Sequence, residues 1–320
     1  MSQAPKWFVR NRVALFLAPM AGFSDGAMRR LCRKSGADAF VSELVMANAV
    51  LGADNGSDVW KILSFTENER PVGLQLFGAD PKMMADAATV LEDRFHPDFI
   101  DINCGCPAPK IVSQRSGSAL LKDLPLAAQI LRTMVASVPN TPVTAKIRTG
   151  WDENNIVAVE AAKILEDAGA AAIAVHGRTK AQGYSGDADW RLIESIVKSV
   201  KIPVVGNGSI GGGYPVKIMR ETGVAGIMVG RAALGNPWIF ARLRAELEGR
   251  TPQEPPSPPE RLKIMLDYAR ELEKSGETLP KMRPKLKPFA LGMRGVRKLR
   301  HDIDETHDLA ALEILVKNLE

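Results

Sequence analysis

Residues 98–107 read Asp-Phe-Ile-Asp-Ile-Asn-Cys-Gly-Cys-Pro and set an amide, Asn103, close before a thiol, Cys106. Phe99 to Ile102 has the apolar character of a short strand. Gly105 and Pro107 stop it, because Gly adopts unusual backbone angles and Pro removes a donor. In a parallel α/β protein, sites are built at the carboxyl ends of strands. A thiol held there can serve as a general acid or a nucleophile. The other reading of Cys106 is an inert, buried thiol. A metal is not expected, since Cys104 and Cys106 have no further Cys and no nearby His to complete a ligand set.

Other strand ends carry matching groups. Gln75 lies in the run Pro71–Phe77, and His176 follows Ala171–Val175. Lys146 stands inside the apolar run Val143–Ile147, where a lysine is costly unless something uses its charge. Two glycine-containing turns, Gly206-Asn207-Gly208-Ser209 and Gly230-Arg231-Ala232, have the make-up of an anion cradle. Their backbone N–H groups can approach closely, and Arg231 adds charge. Arg148 and Arg178 are candidates for contacts to a substrate phosphate, or are solvated loop arginines. Glu43 faces a substrate pocket or only terminates its strand.

The elements that must position these groups repeat. Short apolar runs at Val13–Ala18, Asp38–Ser42, Pro71–Phe77, Phe99–Ile102, Val143–Ile147, Ala171–Val175, Pro203–Val205 and Gly226–Val229 alternate with helical patterns. Among the latter are 25–34, 82–95, 126–138, 156–168, 190–200, 214–222 and 236–247. Alternation of this kind predicts parallel βαβ units. Eight of them predict a (β/α)8 TIM barrel, a fold of about 250 residues, with its phosphate site after strands seven and eight. An open doubly wound sheet is the rival, but Pro19-Met20-Ala21-Gly22 after the first run is not a dinucleotide fingerprint.

The chain has 320 residues, 45% hydrophobic and 25% charged, with a net charge of +5. No run is long enough to span a membrane. The first residues lack the apolar core of a signal peptide, and three cysteines make no disulfide framework, so the chain reads as cytoplasmic. The domains expected are a barrel over 1–250, a Pro-rich linker over 251–259, and a small helical domain over 260–320, with helical spacing at 260–274 and 289–301. Between Lys281 and His301 the basic residues Lys281, Arg283, Lys285, Lys287, Arg294, Arg297, Lys298 and Arg300 occur without an acid. Such a run is a footprint for nucleic acid or a solvated basic face.

Asp101-Ile-Asn-Cys-Gly-Cys-Pro-Ala-Pro-Lys110, followed by Ser116-Gly117-Ser118-Ala119-Leu120-Leu121-Lys122-Asp123, resembles the signature of the tRNA-dihydrouridine synthases, closest to their bacterial B-type subgroup. Val175-His-Gly-Arg-Thr179 with Gly183-Tyr184-Ser185-Gly186 is similar to the family's pattern too. The resemblance implies reduction of uridine to 5,6-dihydrouridine in the D-loop of tRNA, by NADPH (or NADH) through FMN. It implies that Cys106 protonates the uracil and that Asn103 positions it. Pro19, Met20 and Ala21 would line the flavin, Gln75 and Lys146 would bond its ring, and His176 would lie beside it. Asn207, Gly208, Ser209, Gly230 and Arg231 would hold its phosphate, with Ser209 standing where the family usually has Asp. The helical tail would bind tRNA, and nothing points to an obligate protein partner. A dihydroorotate-type dehydrogenase acting on a free pyrimidine is the alternative, against which the basic tail speaks.

Overall fold

Strands with apolar residues at every position must be covered on both faces, and a barrel ringed by helices does this. In the structure, a computed structural model that describes residues 5, 8, 12–211 and 216–318, eight parallel strands close in sequence order. They are β1 (Ala14–Leu17), β2 (Ala39–Met46), β3 (Val72–Phe77), β4 (Phe99–Cys104), β5 (Val143–Arg148), β6 (Ile173–His176), β7 (Val204–Asn207) and β8 (Gly226–Val229). Helices α1 (Gly26–Lys34), α2 (Ala47–Leu51), α3 (Asp58–Leu63), α4 (Pro81–Phe95), α5 (Pro109–Val112), α6 (Leu124–Ser137), α7 (Ala158–Asp167), α8 (Trp190–Ser199), α9 (Val216–Glu221) and α10 (Ile239–Leu247) lie between and after them. The (β/α)8 barrel expected from the alternating pattern is the observed fold. The expected start of one helix at Tyr214 lies outside the described residues.

The barrel interior is divided by height. Phe16, Val41, Phe99, Val205 and Met228 fill its lower part. Glycines opposite make room, for a Cβ at Gly73 would lie 2.0 Å from the Phe99 ring. Above them the inward residues turn polar. The register pairs Gln75 with Asp101, Asn103 with Lys146, Arg148 with His176, and His176 with Asn207. The barrel thus collects groups far apart in sequence into the upper part of its interior.

Several strands run further than their composition suggests, and β7 continues through Asn207, which is a strand residue with the glycine turn beginning after it. β4 continues through Cys104, so Asn103 is a strand residue and the turn begins beyond it. β2 continues to Met46 across a register shift between Val41 and Leu44, so Glu43 sits within the strand and does not terminate it.

Beyond the barrel the chain forms four helices, α11 (Pro258–Lys274), α12 (Leu279–Leu286), α13 (Val296–Glu305) and α14 (Leu309–Lys317), where the spacing showed two. The pattern at 289–301 is broken by Gly292 and Gly295, both at positive φ. These helices share one apolar core with the barrel's outer layer, including Met265, Leu272, Leu286 and Phe289. Tyr268 and Lys285 both donate to Asp25, the N-cap of α1, at 3.1 and 3.0 Å, and Arg30 pairs with Glu271. The Pro-rich composition of 251–259 suggests a boundary crossed by few contacts, and α11 packs on α1 across it within a shared apolar core.

Candidate active site

A cavity of about 980 Å³ opens at the carboxyl ends of the strands. Pro19, Met20, Ala21, Asn103, Cys106, Lys146, Arg148, His176, Arg178, Asn207, Gly208, Ser209, Gly230 and Arg231 all lie on its wall. Glu43 and Gln75 do not. Glu43 accepts from the Gly22 N–H at 2.6 Å and so ties down the loop carrying Met20 and Ala21, while burial pushes its carboxyl above the ordinary range. Gln75 is fully buried beneath Asn103, to which its amide is bonded.

Cys106 is half-buried, whereas Cys32 and Cys104 are buried. Burial pushes the Cys104 thiol well up, which suits a packing role. The backbone around Cys106 is held on both sides. Its N–H donates to Asn103 Oδ1 at 2.8 Å, and its carbonyl accepts from Ser118 N–H at 3.0 Å. The contact with Ser118 depends on Gly117, which has φ +61° and leaves no room for a side chain against the Cys106 carbonyl.

The same wall carries a concentration of positive charge. Lys146 donates to Asn207 Oδ1 at 3.2 Å, and Asn207 in turn donates to the Met228 carbonyl. Burial, then Arg148, lowers the Lys146 ammonium to about 8. Arg148 is buried and spent on carbonyls, those of Gly105, Thr179 and Gly183, so it ties the loops after β4 and β6 to the end of β5 and is not a solvated arginine. Arg178 is held by the Gly186 carbonyl and by Ser209 Oγ, the latter at 3.0 Å. Ser209 sits in the left-handed region at φ 56° and also accepts from the Ala188 N–H. The Trp190 indole donates to the Gly208 carbonyl at 3.1 Å, which fixes the turn after β7.

Tyr184, Asp187, Phe23 and Leu44 belong to the wall as well. The guanidinium of Arg231 lies 3.8 Å from the centre of the Tyr184 ring. Only the local pattern around Gly183 pointed to this tyrosine, because an exposed aromatic in a loop has no periodicity to mark it.

On the described wall four cations, Lys146, Arg148, Arg178 and Arg231, face one carboxylate, Asp187, beside the apolar Pro19, Met20, Phe23 and Leu44. That donor set suits a ligand with a flat apolar part and a phosphate. No group of His, Cys, Asp and Glu suited to a metal occurs among the described residues.

The sequence model of the family described as dihydrouridine synthase matches residues 16–319. The chain belongs to the dihydrouridine synthase family. It is therefore an oxidoreductase, since making dihydrouridine saturates a ring double bond. It is 43% identical over 261 residues to the tRNA-dihydrouridine synthase B of Pseudomonas aeruginosa, which covers 81% of this chain and 77% of that one. It is 38% identical to the probable tRNA-dihydrouridine synthase of Rickettsia conorii, across 93% of this chain and 91% of that one. Among solved structures it is similar to the old yellow enzyme from Trypanosoma cruzi, with a TM-score of 0.54 and 12% identity over 79% of this chain and 92% of that one. Morphinone reductase gives a TM-score of 0.53 at 13% identity, over 79% of this chain and 92% of that one. Those two likenesses are of fold. No helix among the described residues is long and apolar enough to cross a membrane.

Proposed function

We propose that this dihydrouridine synthase acts on tRNA, holds FMN in the cavity above β5 to β8, takes its electrons from NADPH or NADH, and uses Cys106 as the proton donor to the uracil ring. The observation that carries this reading is the placing of Cys106, a half-exposed thiol, on the same cavity wall as Lys146, His176, Asn207 and Arg231. When bound, the flavin supplies the hydride that a protein side chain cannot.

The chain's own residues do the rest. Met20 and Pro19 offer an apolar wall to a flat ring. Lys146, held by Asn207, offers a cation to an electron-rich ring edge. The turns at Gly208–Ser209 and Gly230–Arg231 supply the phosphate seat. Asn103 stands between Gln75 and the Cys106 turn, on the cavity wall, where its position suits orienting a uracil. A base stacked within folded tRNA cannot enter such a cavity, so the target uridine must be extruded. Of the basic run in the tail, Lys281, Arg294, Arg297 and Arg300 are exposed, while Lys285, Lys287 and Lys298 are paired to Glu277, Asp304 and Asp302. The footprint for tRNA is accordingly smaller than the sequence suggests.

The experiment is a comparison of Cys106→Ala with Cys104→Ala. The purified protein should be yellow and release FMN on denaturation. Cys106→Ala should keep its flavin yet form dihydrouridine in tRNA about 10²–10⁴-fold more slowly, the usual contribution of a positioned acid. Cys104→Ala should lose far less. Equal losses in the two variants would remove Cys106 from its role, and turnover of free uracil or dihydroorotate above that of tRNA would favour the pyrimidine dehydrogenase reading.

A further inference from the structure

Asn103 Oδ1 accepts two backbone N–H groups, from Gly105 at 3.1 Å and Cys106 at 2.8 Å. Only the oxygen of an amide can do so, and its nitrogen must then face the other way. There it donates to Gln75 Oε1 at 2.7 Å. The Gln75 amide nitrogen is thereby turned to Asp101, and it donates to Oδ2 at 2.7 Å. The remaining Asp101 oxygen accepts from Thr144 Oγ at 2.5 Å. The line Thr144–Asp101–Gln75–Asn103–Cys106 crosses three strands, and all four side chains in it are buried. Its polarity is dictated at both ends, by two N–H donors above and an acceptor below, so a flip of Gln75 breaks two bonds and a flip of Asn103 breaks three.

Asp101 is not on the cavity wall and cannot touch a ligand there. A carboxylate at this depth is expensive, and an apolar residue would serve packing better. We propose that Asp101 is a positioning residue for the proton donor: by accepting from Gln75 it sets the direction of the amide relay that holds the Cys106 turn in place. The inference rests on the reading of Cys106 as that donor. It assigns to the first residue of the Asp-Ile-Asn-Cys-Gly-Cys stretch a task carried out through two intermediaries.

The relay can be reversed on paper, and this supplies the test. In Asn103→Asp both oxygens at 103 must accept, so Gln75 has to turn its nitrogen upward and present its oxygen to Asp101, where two acceptors collide. Adding Asp101→Asn supplies the missing N–H below, so the two bonds of Gln75 run in the opposite direction while Thr144 and the backbone N–H groups donate as before, and every bond is restored. The thermal midpoint of Asn103→Asp should therefore rise when Asp101→Asn is added; no recovery overturns the relay. On its own, Asp101→Asn can still accept from Gln75 while Thr144 turns its hydroxyl, so it should retain most of the uridine turnover. Asp101→Leu cannot accept, and its kcat on tRNA should fall about 10–100-fold with KM little changed, the pattern of a lost transition-state contact. The alkylation rate of Cys106 by iodoacetamide at fixed pH should change in Asp101→Leu and not in Asp101→Asn. Should the Leu and Asn variants be equally impaired, or Leu leave kcat and alkylation alone, Asp101 does not position Cys106. If instead Cys106→Ala keeps full turnover, the proton-donor reading falls, while the stability cycle and the alkylation rates still report on the relay itself.

Discussion

Arg178 donates from Nη1 to Nε2 of His176 at 3.2 Å. A guanidinium offers no acceptor, so Nε2 is the bare nitrogen and Nδ1 carries the ring hydrogen. Burial, and after it the cations Lys146, Arg148, Arg178 and Arg231, push His176 down to about 2. The ring is thus a neutral group with a fixed tautomer in a strongly positive neighbourhood.

This has a measurable sign. Unfolded histidine binds its proton near pH 6.5, and the folded ring does not, so stability falls as pH drops below that value, by up to about 1.4 kcal/mol per pH unit for one such group. His176→Gln keeps an acceptor for Arg178 and removes the titration. Urea unfolding at pH 7 and pH 5.5 should show the wild type losing more stability than the variant. Parallel pH dependence in the two proteins would mean that the folded ring takes up a proton as readily as the unfolded one.

Gly117 permits the Cys106 carbonyl to be held. An added Cβ would lie 2.8 Å from that carbonyl oxygen, at a φ of +61°. Gly117→Ala should cost about 1–2 kcal/mol from the left-handed backbone alone, and it must displace the Cys106 turn besides. We expect a modest fall in melting temperature and a much larger fall in dihydrouridine formation. A variant that melts lower but turns over normally would show that the turn tolerates displacement.

Lys285 is buried between Asp25 and Glu277, at 3.0 and 2.7 Å. Burial lowers its pKa, but the two carboxylates outweigh this and raise it overall. Losing one member of a fully buried pair costs about 3–5 kcal/mol, and since both carboxylates are partly exposed, Lys285→Met should cost about 2 kcal/mol. Because Asp25 caps α1 directly after the Met20–Ser24 loop, flavin retention should weaken as well. Denaturant unfolding and flavin titration on the same samples check both parts.

If the exposed cations of the tail contact tRNA phosphates, each lost contact should reduce the slope of log K against log salt by about 0.7–0.9. Arg294→Gln, Arg297→Gln and Arg300→Gln combined should flatten the slope clearly. Lys287→Gln, whose charge is already paired with Asp304, should leave it nearly unchanged. Filter binding over a salt series distinguishes these outcomes.

The barrel was legible because its signal is periodic and local: apolar runs bounded by Gly and Pro, repeated with helices between. The residues on the cavity wall were legible for a related reason. Lys146, His176 and Asn207 are polar residues at the ends of strands, where packing gives no cause for them. What could not be read was direction. Gln75 is in the right strand, but the bond from Asn103 and the bond to Asp101 turn its amide away from the cavity wall. The extent of β2 was hidden by a register shift, which a run of apolar letters does not reveal. The basic run looked free of acids because its partners Glu277, Asp302 and Asp304 stand outside it in sequence and beside it in space.

The docking of α11 and α12 on Asp25 makes the distance from the exposed arginines to the cavity a property of a packed core. The segment 251–257 only returns the chain to that core and carries no directional information. A tRNA gripped by the tail would then be measured against a fixed ruler, and the uridine that reaches Cys106 would be chosen by that offset. Lengthening the tether by a few Gly and Ser residues should leave the modified position in tRNA unchanged, whereas repacking Leu272, Leu286 or Phe289 should shift or blur it.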